Sequence, residues 1–248
     1  MVFIYCVLLV FSYSAMSQNN IIDSSGVKQG YWYLYFPYNN DSIVSEEGQF
    51  VNGLEEGVWV KYHENQQVRE IVNYKNGQLN GLRLVLSKKG KIEEQEFFQN
   101  GNYHGQQLYF HDTGKPSMKL KYINNNIEGE VLKYYKNGKI QESASYSNGV
   151  KHGFSKWYYS NEVLSIQYMY RNGMIVDTAY VYYKSGNIKS ISCYVNNNLH
   201  GDKIVYYDSG VIKEKGAFVN DKKHGYWCAY DSLGIEEECD RYKNGTIK

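Results

Sequence analysis

Proline is almost absent from this 248-residue chain, which has two prolines against 23 glycines. Aromatic residues make up 16% of the chain, and this share, together with the scarcity of proline, excludes collagen and disordered low-complexity proteins. Neither sign of charge is in excess, because 27 lysine and arginine residues meet 26 acidic ones. A net charge of +1 argues against a nucleic-acid-binding protein, which needs a basic surplus, and against an acidic solvating tail.

Cysteine is also scarce, with four residues and no C-x-x-C motif. The sequence therefore has neither a zinc ribbon nor a thioredoxin-type motif, and it is not a disulfide scaffold. Cys6 lies in an apolar N-terminal run, which leaves Cys193, Cys228 and Cys239 in the rest of the chain. Three cysteines allow at most one internal bridge and leave one thiol free.

Long hydrophobic runs are missing, apart from one near the N-terminus. Residues 2–11 are apolar but too few to span a bilayer as a helix, and Ala15, Met16 and Ser17 follow as a small-x-small cleavage site. We predict a signal peptide over residues 1–17 and export to the periplasm, cell surface or medium, with no transmembrane segment after cleavage. The alternative is a buried N-terminal strand.

What the chain has in abundance is a repeat. Asparagine recurs nine times at an interval of 24 residues, with an aromatic residue two positions before each asparagine, and a glycine begins most units. The asparagines are Asn52, Asn76, Asn100, Asn124, Asn148, Asn172, Asn196, Asn220 and Asn244, and the glycines are Gly30, Gly57, Gly81, Gly105, Gly129, Gly153, Gly201 and Gly225, with Asp177 in the remaining unit. Three series with the same period identify a repeat protein.

Each unit, numbered from its first residue as position 0, predicts a β-hairpin. The 27 tyrosines favour strands, a second glycine at position 9 marks a turn, and no helical stripe survives the frequent glycine and asparagine. We predict an all-β fold over residues 30–248, after a lead over residues 18–29. It is an elongated array of about nine 24-residue β-hairpin repeats forming one long antiparallel sheet.

The turn sets the register of each hairpin. A three-residue loop ending in a left-handed glycine pairs position 5 with position 11, for example Tyr134 with Ile140. From this register we expect positions 3, 5, 11 and 17 to share one apolar face. We also expect Cys228 and Cys239 to lie on opposite faces, where they cannot form a disulfide. Tryptophan occupies position 2 only in the first two units and the last, and we expect these rings to cap the ends of the array.

The unit resembles the MORN-repeat-variant family over roughly residues 28–248. The motif is clearest in the run Gly57, Trp59 and Tyr62, and in the run from Tyr134 to Ile140. The departures are Asp177 for the unit glycine, Asn125, Asn197 and Asp221 for the second residue of Asn-Gly, and Asn161-Glu162 in one turn. The resemblance implies an elongated scaffold for protein or membrane contacts, and some bacterial members are labelled as antitoxins of toxin–antitoxin systems.

No catalytic constellation, cofactor fingerprint or metal motif stands out. There is no G-x-S-x-G elbow, P-loop or dinucleotide-binding motif. A row of histidines recurs at one repeat position, but equivalent residues lie roughly 10 Å apart, too far to share a metal ion. The row consists of His104, His152, His200 and His224. We therefore predict a protein that is not an enzyme.

Position 6 is tyrosine in four consecutive units: Tyr135, Tyr159, Tyr183 and Tyr207. These rings either pack across strands to support the sheet or form a docking strip for a partner. The leading hypothesis is a non-catalytic exported scaffold for protein–protein contacts. The alternatives are a cell-envelope glycan-binding module, which would favour a tryptophan in each unit, and an antitoxin or immunity-type protein that neutralises a toxin.

Overall fold

The computed structural model describes residues 19–37 and 43–248. The predicted signal peptide lies outside the described residues. Every regular element in the described part of the chain is a β-strand. The strands are β1 Ile21–Ile22, β2 Lys28–Tyr35, β3 Val44–Val51, β4 Leu54–Tyr62, β5 Val68–Lys75, β6 Gln78–Leu86, β7 Ile92–Gln99, β8 Asn102–Tyr103, β9 Gly105–Phe110, β10 Pro116–Ile123, β11 Asn126–Ile127, β12 Gly129–Tyr134, β13 Ile140–Ser147, β14 Val150–Tyr158, β15 Leu164–Arg171, β16 Met174–Tyr182, β17 Ile188–Val195, β18 Asn198–Tyr206, β19 Ile212–Val219, β20 Lys222–Tyr230, β21 Glu236–Lys243 and β22 Thr246–Ile247.

These 22 strands form one open antiparallel sheet in which each long strand pairs with the long strands before and after it. The short strands β8 and β11 pair only with β7 and β10. Nine long hairpins, from β2 and β3 to β20 and β21, correspond to the nine repeats, which we number units 1 to 9 in chain order. The predicted fold class is therefore confirmed. Each hairpin alone would be marginal in water, so the array is stabilised by contacts between successive units.

The register of the hairpins is also confirmed. Tyr134 lies opposite Ile140, and the Tyr135 N–H donates to the Lys139 carbonyl at 2.9 Å to close the turn. Gly138 adopts a φ of 90°, a left-handed conformation that costs a glycine little. The same pairing of residues six positions apart occurs in the eight hairpins from β4 and β5 onward. In the first hairpin, which has a longer loop, Tyr35 pairs with Val44.

The predicted buried face was wrong, because a β-bulge follows each turn. Position 4 pairs with position 13 rather than 12, as Lys133 does with Glu142. One extra residue shifts all later side chains of that strand to the other face. The buried face therefore carries positions 2, 13, 15 and 17. Position 3 lies on the opposite face and is half-buried in every unit except the last, where Cys228 is buried. Buried residues at positions 2, 13, 15 and 17 include Trp32, Phe50, Trp59, Val72, Glu96, Phe98, Gln107, Leu120, Val131, Glu142, Ala144, Ser155, Ala179, Ser192 and Trp227.

The same bulge overturns the cysteine prediction. Positions 3 and 14 become directly opposite, so Cys228 faces Cys239 and the two form a disulfide with a Cα–Cα distance of 4.0 Å. Cys193 is free.

A second irregularity explains the glycine that begins each unit. Gly153, for example, has a φ of 102° at a point where the register of β13 and β14 shifts. At the other edge of the sheet, Asn148 and Gly149 have φ values of 49° and 80°, as a two-residue turn between right-twisted strands requires. The sequence departures keep this geometry, since Asp177 has a φ of 62°.

At two boundaries between units, a glycine on the buried face lies against a tryptophan of the next unit. The glycine is at position 15 and the tryptophan at position 2 of the following unit, eleven residues later. Gly48 lies under Trp59 and Gly216 under Trp227, so closely that a Cβ on either glycine would come within 2.3 Å of the indole. The indole N–H groups of Trp59 and Trp227 donate to the carbonyls of Gln49 and Ala217, so both rings lie on the buried face.

The two ends of the sheet are protected differently. At the N-terminal end, Asn20 receives the N–H of Tyr33 at 2.8 Å and donates to its carbonyl at 3.2 Å, which satisfies the outer edge of β2. At the C-terminal end, β22 pairs only with Tyr242 and Lys243. The remaining outer edge of β21 carries a run of charged side chains, which discourages pairing with other strands. They are Glu236, Glu237, Glu238, Asp240 and Arg241.

Candidate binding surface

A row of tyrosines at position 6 runs along one edge of the sheet. Each hydroxyl donates to the backbone carbonyl of the residue 23 positions later, at the same edge of the next unit. Tyr135 donates to Tyr158 at 2.7 Å, Tyr159 to Tyr182 at 2.8 Å, Tyr183 to Tyr206 at 2.7 Å and Tyr207 to Tyr230 at 3.0 Å. The structure therefore brings the four predicted residues into one line, which we call the tyrosine edge.

Histidine makes the same contact in two earlier units. The Nε2 atom of His63 lies 3.0 Å from the Leu86 carbonyl, and that of His111 lies 2.9 Å from the Tyr134 carbonyl. Position 6 therefore couples each of these six units to the next, through either histidine or tyrosine. The tyrosine edge is part of the framework of the sheet as well as an aromatic surface.

The rings of the tyrosine edge remain half-exposed, with cations above three of them. Lys189 Nζ lies 5.5 Å from the centre of the Tyr183 ring, and Lys213 Nζ lies at the same distance from Tyr207. Lys184 lies 6.0 Å from the Tyr159 ring. The surface thus combines fixed rings with flexible ammonium groups.

At the opposite edge of the sheet, the Asn-Gly turns connect successive units by hydrogen bonds. The N–H of the second turn residue donates to a carbonyl of the preceding unit, as Gly77 does to Glu55 at 2.9 Å. Where this residue is not glycine, its side chain adds a second bond, because Asn125 Oδ1 accepts the N–H of Tyr103 at 2.7 Å. Asn197 and Asp221 make the equivalent contacts. These departures from the repeat pattern therefore strengthen the contact between units.

The predicted histidine row lies on the edge of the sheet that carries the Asn-Gly turns. His104 and His200 place Nδ1 at 3.2 Å and 3.3 Å from Asn124 Oδ1 and Asn220 Oδ1 in the next turn. His152 Nδ1 accepts the N–H of Asn172 at 3.5 Å. These contacts give three of the four histidines a role in holding successive turns, whereas His224 Nδ1 is buried without a hydrogen-bond partner.

Unit 3 contains a charged cluster that the sequence interpretation missed. Arg83 occupies the position that carries tryptophan in unit 2, and it bonds to Glu70, Glu94 and Glu96. Glu96 is 2% exposed and also accepts the hydroxyl of Tyr109 at 2.8 Å. The signal was available in the sequence, since an arginine stands where six of the other eight units have an apolar or small residue, the exceptions being Gln107 and Lys203.

The cluster changes the titration of its members. Burial opposes ionisation of Glu70, but hydrogen bonding by Arg83 and the charges of Lys61 and Arg83 lower the pKa of this carboxyl below its ordinary value. Burial, the hydrogen bond to Glu96 and the charge of Glu96 raise the pKa of Tyr109. Glu70 is therefore ionised and Tyr109 is a neutral donor at neutral pH.

A groove with a volume of about 630 Å³ lies beside this cluster, at the hairpin turns of units 3 and 4. Its lining includes Lys88, Lys89, Lys91, Tyr109 and His111. The Nζ atom of Lys91 donates to the Asp112 carbonyl at 2.7 Å, so part of the basic lining is engaged in joining the two turns.

Comparison with known proteins agrees with this repeat geometry. A family model described as the MORN repeat variant matches residues 55–76, 103–124, 127–148, 178–196 and 199–220. This chain contains MORN repeats of the variant type. Repeats of this family are in general protein-binding and membrane-binding modules. None of the described residues forms a helix that could cross a membrane.

The other comparisons add little. No curated protein matches the chain. One solved structure, an alternansucrase in complex with isomaltononaose, aligns with 78% of this chain and 16% of its own at 12% identity and a TM-score of 0.19. The MORN-repeat chain thus spans about a sixth of that protein, and a similarity this low has no bearing on fold or function.

Proposed function

We propose that this MORN-repeat chain is an exported, non-catalytic scaffold that binds a partner protein along the tyrosine edge. The observation that supports the proposal most directly is the regular row of four half-exposed rings, each held by a hydroxyl bond to the next unit. Neighbouring rings are roughly 10 Å apart, since they are separated by two strand spacings.

Fixed rings favour binding. A side chain that is already held in one rotamer loses little entropy when a partner covers it, whereas ordering a free side chain costs about 0.5–1.5 kcal/mol. Tyrosine also offers apolar area and a polar tip in one residue. The row therefore resembles a preorganised contact surface rather than a set of independent surface residues.

A protein partner is favoured over a glycan by the position of the tryptophans. Trp32, Trp59 and Trp227 are buried, and Trp157 is half-buried. The aromatic side chains that a sugar ring would stack upon are therefore not presented as a tryptophan in each unit. Tyrosine rings with lysines above them suit a protein surface that offers both apolar and acidic groups.

Two sets of substitutions separate binding from support of the sheet. Changing Tyr135, Tyr159, Tyr183 and Tyr207 together to Phe removes the four hydroxyl bonds and keeps the rings. Changing all four to Ser removes the rings as well. Cell-envelope proteins crosslinked to the tagged chain would be compared by mass spectrometry for wild type and both variants.

We expect the Phe variant to retain the captured partner and the Ser variant to lose it, with circular dichroism of the strands preserved in both. A control changes two exposed aromatic residues outside the tyrosine edge, Phe154 and Tyr226, to Ser. Equal capture by the wild type and a folded Ser variant would disprove the tyrosine edge as the binding surface.

A further inference from the structure

The last hairpin brings two cysteines and a carboxylate together. Cys228 of β20 and Cys239 of β21 are directly opposite and joined by a disulfide. Glu236 lies three residues before Cys239, which in a regular strand would place it on the other face. The bulge changes this, because Tyr230 pairs with Glu236 and Ala229 pairs with Glu238.

The three side chains consequently converge on one face. The two Sγ atoms and a carboxylate oxygen of Glu236 all lie within 4.8 Å of one another. In the described part of the chain, this is the one group of three or more His, Cys, Asp or Glu side chains with ligand atoms so close. Cys228 is buried and Glu236 is exposed, so the group opens to solvent on the side of the carboxylate.

Zinc suits this set in chemistry, and the separations of up to 4.8 Å are close to the span that one ion can bridge. Zinc–sulfur bonds of about 2.3 Å and zinc–oxygen bonds of about 2.0–2.2 Å place the ligands of one ion no more than about 4.6 Å apart. Thiolate ligands select thiophilic ions such as zinc over magnesium or calcium. Two thiolates, one carboxylate and one water would complete a tetrahedral set.

We propose that reduction of the Cys228–Cys239 disulfide creates a binding site for Zn²⁺. A dithiol reductant supplies two electrons and two protons, which cleave the S–S bond to two thiols, and the reductant itself becomes a disulfide. Zinc then replaces the two thiol protons, which pass to solvent, and Glu236 coordinates as a carboxylate. Oxidation and metal binding exclude each other, because the same two sulfur atoms serve both.

The site does not depend on the proposed partner binding, since it lies in unit 9 and involves no member of the tyrosine edge. It also differs from the histidine row, in which His104, His152 and His200 contact turn residues. The ladder pairing of β20 and β21 on both sides of the cysteines holds the three ligands in place after the disulfide opens.

The experiment is a zinc titration of the full chain in competition with a chromophoric chelator, before and after treatment with a dithiol that is then removed without oxygen. We expect one zinc ion per reduced chain and none per oxidised chain. Cd²⁺ in place of zinc should give the ultraviolet charge-transfer absorption of thiolate ligands.

Three variants test the ligand set. The double variant Cys228→Ser with Cys239→Ser retains the other cysteines and should lose the site. Glu236→Gln should weaken zinc binding about tenfold or more, since even outer-shell partners of zinc contribute 10–100-fold. Glu238→Gln is the matched control, because Glu238 faces Ala229 on the opposite side of the sheet and should leave the affinity unchanged.

Two results would overturn the proposal. One is a reduced wild type that binds zinc no more tightly than the double serine variant. The other is an equal loss of affinity in Glu236→Gln and Glu238→Gln, which would mean that general negative charge attracts the ion. Circular dichroism of the reduced chain must retain the strand signal, and collapse of the hairpin on reduction would also refute the site.

Discussion

Units 2 and 3 are neighbours with the same backbone, but the side chains on their buried faces differ in chemistry. Tyr62 pairs with Val68 in unit 2 as Leu86 pairs with Ile92 in unit 3. On the buried face, unit 2 carries Trp59 and Val72, whereas unit 3 carries Arg83 and Glu96. The turns and bulges therefore determine the hairpin, and its buried face accepts either apolar or charged pairs.

Substitutions on the two buried faces should lower the stability of the fold for different reasons. An apolar pair loses stability when volume is removed, whereas a charged pair loses stability when one partner is left unpaired. A series of substitutions at these positions would test this contrast, beginning with the change expected to have the largest effect.

Trp59→Ala should lower the free energy of unfolding by about 3–5 kcal/mol, because a buried aromatic ring is removed from contact with Phe50 and Tyr74. Urea denaturation measures the change. Trp227→Ala should have a similar effect at the other end, because Trp227 packs on Gly216 as Trp59 packs on Gly48. An unchanged melting curve for either variant would contradict this role.

Arg83→Met should cost roughly 2 kcal/mol, less than the 3–5 kcal/mol of a fully buried pair, because 26% of the Arg83 side chain is exposed. The loss arises from Glu96, which remains buried with its charge unpaired. The double variant Arg83→Met with Glu96→Gln should recover part of the stability. If the double variant is as unstable as the single one, the contribution of Arg83 lies in packing and not in charge.

The charged cluster around Arg83 should also make the contact between units 2 and 3 sensitive to acid, since Glu70 of unit 2 bonds to Arg83 of unit 3. A carboxyl whose pKa is lowered in the folded state stabilises the fold above its ordinary pKa and loses that contribution as the pH falls through the lowered value. For Glu70, the loss begins near pH 4.5 and continues below it. Glu70→Gln should make stability less dependent on pH in this range, as measured by denaturation from pH 7 to pH 3.

The smallest effect is expected at the hairpin turn of each of the two units. Gly90 has a φ of 73° in unit 3, and Gln66 has a φ of 62° at the same position of unit 2. Gly90→Gln should cost about 1 kcal/mol, because a side chain in the left-handed region is strained. Gln66→Gly should relieve that strain but lose the bond from Gln66 Nε2 to the Val44 carbonyl. Thermal melts should show a lower melting temperature for Gly90→Gln. They should show a smaller change for Gln66→Gly, because the relief of strain and the lost bond oppose each other.

The sequence was sufficient to predict the period, the hairpins and the pairing of position 5 with position 11. Glycine and asparagine at fixed intervals carry this information, because only a few residue types accept positive φ. The line of Tyr135, Tyr159, Tyr183 and Tyr207 also followed from the period. Their hydroxyl bonds to the next unit did not, since they depend on how the turns of neighbouring hairpins are offset.

The faces of the sheet could not be assigned correctly from the turn alone. A single bulged residue after each turn reverses the alternation, and no residue type marks it in the sequence. This one error misplaced the buried face and separated Cys228 from Cys239. A better signal was the spacing of eleven residues between complementary side chains, such as Gly48 with Trp59 and Gly216 with Trp227.

The complementary pairs across unit boundaries have a consequence for the order of the hairpins. All nine units have nearly interchangeable backbones, so copies could in principle be shuffled or deleted in steps of 24 residues. The unit that contains Trp59, however, fits only behind a unit that offers a glycine at the matching site. The pairs therefore restrict which copy can follow which, since a unit with tryptophan at position 2 requires glycine at position 15 of the unit before it.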